Sequence, residues 1–414
     1  MKNWFFVALL LFTPLAQAQW GCTDPQATNY DPAATKNNGS CLYPNTLISP
    51  KILLQKLSDT LNETSGLARI RNQWYSHNDG GNPAAIYRLG NNGSIAQTIV
   101  PRNQNNIDWE DLTASNDYAF IGDFGNNNGD RKDLKILKLP INAWMGSALV
   151  DSIDAETIAF SFADQTQFTP SAKTTPFDCE AMIFWGDSLH IFTKSWSNGV
   201  TKRYVIPAVP GNYNVSPRDS LSLGFLVTGA AVYQDRLALV GYDKSGNGFL
   251  ELLWDFPSAQ PFNGNKRKIA LGSFISVGQI ESVAFQDSIT LLATNEKYVV
   301  ANRLMEIPLA TVWGKTAFNK QPKHAIDLTV SPNPNSGEIV VRWQQANPRT
   351  VEMRIFEINN PNSSLICKKF HGDAGPNEVK IDLDQRFAVG TYILQITGIE
   401  KGLRMQETLI YQPQ

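Results

Sequence analysis

Histidine and cysteine are scarce in this chain, four of each in 414 residues, and only 18% of residues are charged. The histidines stand at 77, 190, 324 and 371, the cysteines at 22, 41, 179 and 367. No His/Cys set has the spacing of a zinc site. No G-x-S-x-G elbow, H-E-x-x-H pair, Walker A loop or G-x-G-x-x-G after a strand occurs, which excludes the commonest hydrolase, metalloprotease and nucleotide-binding designs. Net charge is -2, with no basic block for nucleic acid and no basic amphipathic helix for a membrane surface. Beyond residue 18 no stretch is long and apolar enough to span a membrane. His190 alternates within a strand and reads as packing. His77, beside Asp79 at a strand end, is the one histidine placed for acid/base work.

What is present begins with Met1 to Ala18: Lys2, an apolar run from Trp4 to Leu15, then Ala16-Gln17-Ala18. That is the order of a secretory signal peptide, leaving Gln19 as the new N-terminus. The remaining length suits two or three domains, and 43 aromatic residues supply ample core. An exported chain meets an oxidising compartment, so Cys22 and Cys41, which bracket one short segment, are expected to pair. Cys179 and Cys367 are expected as buried free thiols. Residues 19–46 form the Cys-bracketed module. Gly21 to Tyr30 and Asn38 to Cys41 resemble a small module of secreted Bacteroidetes proteins. Asp24, Asn29, Asp31, Asn37 and Asn38 offer oxygens to Ca2+ there; the alternative is plain turn chemistry.

Residues 47–318 repeat. Five segments align, led by Glu63, Glu110, Glu180, Gly229 and Glu281, with spacings of 47, 70, 49 and 52. Each holds about four short strands, the pattern of an all-β propeller. The fifth unit shows three strands, and Lys51 to Leu57 can supply its outer one, closing the ring. Five blades result; the long second interval, containing Glu156 to Phe162, leaves six open.

Four leading positions are carboxylates, placed where innermost strands converge on the axis. Glu63, Glu110, Glu180 and Glu281 are therefore a candidate metal ring. Asp79, Asp123, Lys194, Asp243 and Glu296 close the second strands and are expected farther out on the same face. Crowded carboxylates repel unless a cation or basic partner neutralises them. Ca2+ suits an all-oxygen set. The rivals are ion pairs with Lys194, Arg131 or Lys173, or glutamates that brace neighbouring blades. The loop from Gly122 to Arg131 carries Asp123, Asn126, Asp130 and Arg131 as ligand candidates, or is a tight turn.

Residues 319–326 read as a linker. From 327 to 414, five apolar/polar alternations predict an Ig-like sandwich: Ile339–Trp343, Val351–Phe356, Val379–Leu383, Tyr392–Ile396 and Arg404–Ile410. The Pro332-Asn333-Pro334 turn, Gly337 before a strand, and Gly390-Thr391-Tyr392 resemble the type A C-terminal sorting domain of the Bacteroidetes type IX secretion system. That resemblance implies delivery to the cell surface or beyond, with the secretion machinery as partner. In the repeat, Glu63-Thr64-Ser65-Gly66-Leu67, Ala85 to Leu89 and Asp108-Trp109-Glu110-Asp111-Leu112 resemble the SdiA-regulated and esterase-like-phytase propellers. Those groups include Ca2+-binding proteins and presumed phosphoesterases. Two functions follow as expectations. One is an exported monomeric binding propeller, stabilised by Ca2+, with a small-molecule or glycan ligand. The alternative is a Ca2+-dependent phosphoesterase or lactonase acting on an extracellular small molecule, with His77 and Arg131 as catalytic candidates.

Overall fold

The computed structural model describes residues 18–144, 149–257, 260–313, 328–331, 337–345, 349–357, 364–373, 375–383, 387–398 and 404–411. The signal peptide up to residue 17, the 319–326 linker and the Pro332–Pro334 turn lie outside the described residues. Two compact units emerge, Met1–Lys320 and Gln321–Gln414. No helix among the described residues is long and apolar enough to cross a membrane.

The first unit is a five-bladed propeller. Its innermost strands are Thr64–Ile70, Trp109–Ala114, Asp178–Trp185, Leu226–Tyr233 and Gln279–Asp287. Each packs against the next, and the fifth returns to the first. Glu156–Phe162 is the outer strand of blade 2, not a sixth blade. In blade 5 the outer strand is Lys51–Leu54, paired antiparallel to Arg303–Pro308. The ring thus closes across its own two ends, and two sheet edges disappear.

Apolar side chains alternate along these strands and fill the wedges between blades. Trp109 and Ile121 meet Ile70 and Tyr75 between blades 1 and 2. Phe160 meets Met182 and Tyr204 between blades 2 and 3. Leu67 meets Leu292 and Leu304 between blades 5 and 1.

Three blades gain a fifth strand, added in parallel. Val150–Ile153 extends blade 1, Gly211–Val215 extends blade 2 and Thr46–Leu47 extends blade 4. Each comes from the stretch just before the next blade's outer strand. Blade 3 departs from this pattern. The corresponding stretch of blade 4 makes a 3-10 turn, Pro261–Asn263, beside the outer strand Asp219–Ser222.

Cys22 and Cys41 are bonded. Their module packs on blade 4, with Tyr43 5.4 Å from Trp254 and Asn37 donating to the Asp255 carbonyl at 2.9 Å. The oxygens considered for Ca2+ are spent on turns. Asp24 accepts from Gln26 N and the Tyr43 hydroxyl, Asp31 from Ala33 N, Asn29 from Leu42 N, Asn37 from Gly39 N and Asn38 from Ser40 N. Cys179 is a buried free thiol, but Cys367 is exposed. Its neighbour Ile366 turns inward, and alternation sends Cys367 out.

The second unit is a sandwich. One sheet orders Thr329–Ser331, Glu338–Gln345 and Gly375–Asp382. The other orders Ser364–Gly372, Arg349–Glu357, Gly390–Gly398 and Arg404–Tyr411. Ile339, Val341 and Trp343 from the first share one core with Val351, Ile355, Leu394 and Leu409 from the second. Gly337 has φ +150 before its strand, and Gly390 opens another. The strand Ser364–Gly372 escaped the sequence reading.

An acidic mouth on the propeller axis

The innermost strands share a device. Each admits one extra residue near its start, a β-bulge, which bends the strand and re-aims a side chain. The extra residue is Glu110 in blade 2, Glu180 in blade 3, Thr228 in blade 4 and Glu281 in blade 5. In blade 1 the irregularity falls at Ser65 and Gly66. The structural register therefore pairs Ser65, not Glu63, with the glutamates, and Thr228, not Gly229. Glu63 stands two residues too early and is exposed. The two hydroxyls cross between blades: Ser65 donates to the Glu110 carbonyl and Thr228 to the Ile280 carbonyl, both at 2.6 Å. Leu67 and Leu112, which follow the bulges, were the signal for this alignment.

The same register corrects the second strands. Counting from the bulge, the equivalent residues are Asp79, Phe124, Lys194, Tyr242 and Glu296. Asp123 is one residue early and fully buried, held by Arg131 at 2.9 Å and Lys135 at 3.5 Å. Asp243 is one residue late and caps a turn through Ser245 N and Asn247 N, both at 2.9 Å.

The expected four-glutamate ring does not converge on one point. Glu180 is taken by Lys194, whose ammonium meets both oxygens at 2.5 and 2.6 Å. Burial raises the Glu180 carboxyl and Lys194 pulls it back; burial weighs on Lys194, and the Glu180 charge holds its ammonium protonated. The rings of Trp196 and Tyr242 lie 4.8 and 5.3 Å from the same ammonium. Glu281 and Glu296 are bridged by the Gln279 amide, at 2.5 and 2.8 Å. Burial pushes Glu281 up to about 7; burial and the Glu281 charge push Glu296 up to about 9.

Glu110 joins a different pair. Oxygens of Asp79, Asp108 and Glu110 lie within 4.8 Å of one another. Glu110 is 4% exposed, and its Oε1 has no hydrogen-bond partner among the described residues. Glycines wall the cluster: an added Cβ at Gly125 would overlap Glu110 Oε1 and the Asp108 carboxylate, and one at Gly80 would overlap Asp108 Oδ1. Burial raises Asp79 to about 6. Burial, then the charges of Asp79 and Asp178, raise Asp108 to about 7, and burial raises Glu110 well above the carboxylate range. Asp108 was not among the sequence candidates, because it precedes the repeated glutamate. The Asp-Trp-Glu spacing, two carboxylates two apart at a strand start, was the available signal.

The Gly122–Arg131 loop is a braced turn. Asn126 N donates to Asp178 at 2.7 Å, its side chain accepts from Arg131 N at 2.9 Å, and Gly129 has φ +73. Asp130 sits half-buried in this turn. Arg131 is committed to Asp123, Asp133 and the Gly125 carbonyl. His77 is fully buried, edge-on to Trp109 at 5.7 Å, with Nδ1 bonded to the Asn78 carbonyl. Burial lowers it to about 4, so its ring is neutral packing, not an acid or base at the surface.

No family model matches the chain. A stretch of 23 residues is 74% identical to ribulose bisphosphate carboxylase/oxygenase activase 1, a chloroplastic protein of Larrea tridentata. That stretch is 6% of this chain and 5% of that protein, too little to bear on fold or activity.

Proposed function

We propose that this chain is an exported binding propeller whose axial mouth takes a divalent cation, Ca2+ by its chemistry, through Asp79, Asp108 and Glu110. Glu110 carries the reading. A buried carboxylate oxygen without a partner is costly, and here it faces two more carboxylates. Three acidic groups and no histidine or thiol suit a hard cation, and Ca2+ accepts about six to eight oxygens. A bound ion would cancel the repulsion and leave coordination positions for a ligand's own oxygens. A small molecule or glycan rich in hydroxyl or carboxylate groups is the ligand class that fits. The hydrolase alternative loses both named candidates, since His77 is buried and Arg131 is bound up in its loop. Type IX export rests on the tail's turn motifs and the N-terminal signal.

Calorimetric melting with and without chelator tests the cation. Ca2+ at a hundredfold excess over its dissociation constant is expected to add about 2.7 kcal/mol. Asp108→Asn should abolish that gain, while Glu63→Gln should keep it. An unresponsive wild-type protein would refute the site. Loss of the response in Glu63→Gln, with Asp108→Asn unaffected, would refute the assignment.

A further inference from the structure

The wedge between blades 3 and 4 packs Ala181, Ile183 and Phe192 against Phe225, Leu239 and Leu253, and it stays apolar out to Leu221 and Phe262. Beside these apolar groups lies a polar set. Three successive strands of blade 3 set His190, Arg203 and Asp219 together. Arg203 is 3% exposed and grips Asp219 with two bonds, 2.8 and 2.6 Å. Its third nitrogen lies 2.9 Å from His190 Nδ1. A guanidinium only donates, so His190 accepts and its ring is neutral. Burial, then the Arg203 charge, lowers His190 to about 4. A buried ion pair holds a wedge together no better than apolar packing would.

These groups floor a groove of about 800 Å3, within the usual range of ligand sites. Its position follows from the fold: here the blade 4 stretch forms the 3-10 turn in place of an added parallel strand. Trp185 makes one wall, its ring 5.2 Å from His190 and perpendicular to Phe256 at 5.6 Å. Gln260 and Asn263 make the other, the Asn263 side-chain amide donating to Gln260 Oε1 at 2.7 Å. Arg218 is exposed at the rim, and among the described residues its side chain has no hydrogen bond or ion pair. Arg203 and Asp219 cancel, so Arg218 leaves the groove with one net positive charge.

We propose that this groove binds an acidic sugar residue, a uronate or a sulfated sugar, of a glycan. Arg218 pairs with the carboxylate or sulfate. The Trp185 ring covers the apolar face of the pyranose. The amides of Gln260 and Asn263 take hydroxyl groups. The groove is separate from the acidic mouth and needs no cation.

Titration calorimetry of the full chain tests this with tetragalacturonate, a sulfated tetrasaccharide and neutral cellotetraose, each with and without chelator. One or both acidic probes should bind, weakening as salt rises, and cellotetraose should not. Which acidic probe binds identifies the anion. Arg218→Glu should weaken binding about tenfold or more, with Arg218→Lys intermediate. Gln260→Ala, at an exposed position, gives an independent loss without disturbing the fold. Chelator should change nothing, which separates this groove from the mouth. The proposal falls if neither acidic probe binds, if cellotetraose binds equally, if Arg218→Glu is without effect, or if chelator abolishes binding.

Discussion

Only 6% of the Lys194 side chain meets solvent, yet it carries a charge opposite Glu180. Removing one member of a buried pair strands the other, at a cost of about 3–5 kcal/mol. Lys194→Met is therefore expected to lower unfolding free energy by that amount in denaturant titration. Adding Glu180→Met should recover much of it, because the stranded charge goes too. Glu251 offers a second residue-scale test, away from the mouth. Burial raises it from its ordinary 4.5 to about 7, against the pull of Lys268 and Lys266. The folded chain thus binds this proton more tightly than the unfolded chain. The stabilisation is full below about 4.5 and lost as pH rises through about 7. With chelator present, melting temperature should decline from about pH 4.5 to about pH 7 and level off above it, and Glu251→Gln should flatten that slope. An unchanged slope in the variant would assign the decline to other groups.

Elements were easier to find in the sequence than their register. The repeated segments led by Glu63, Glu110, Glu180, Gly229 and Glu281 marked every innermost strand. The bulges left no such mark. With no bulge to anchor it, the repeat aligned on Glu63, two residues before Ser65, and on Gly229, one after Thr228. Asp123 and Asp243 were misplaced for the same reason. The hydroxyls of Ser65 and Thr228 are part of the scaffold, each bonded to a backbone carbonyl of the next blade. Ser65→Ala and Thr228→Val should each cost about 1–3 kcal/mol by leaving that carbonyl short of a donor. Equilibrium unfolding measures this; a loss below about 0.5 kcal/mol would show that water replaces the bond.

At the scale of the whole molecule, the sequence showed the ring and its closure, since a unit one strand short demands a strand from elsewhere. It did not show the added parallel strands. Val150–Ile153 has four residues and Thr46–Leu47 two, too few for a period to register. Nor did it show Asp108, whose place in the mouth depends on the third dimension. Five of the tail's strands were legible because one buried face imposes strict alternation. The sandwich has its own core, with Trp343 and Leu394 at its centre. Deleting residues 327–414 should therefore leave the propeller's melting transition intact while trapping the chain in the periplasm. Cell fractionation in a type IX-competent host checks this, and surface delivery of the truncated chain would refute the sorting role.

The closing strand also sets how the propeller yields to force. Lys51 pairs with Glu306 and Leu54 with Leu304, so the chain enters and leaves this sheet at the same end. A load drawn between Lys51 and Pro308 peels the ladder one bond at a time, like a zipper, instead of shearing all its bonds together. Once Leu54 lets go, blade 5 has lost its rim, and the ring is held there by the packing of its inner strands on blade 1. The propeller would resist heat as one body yet part at a single seam when pulled.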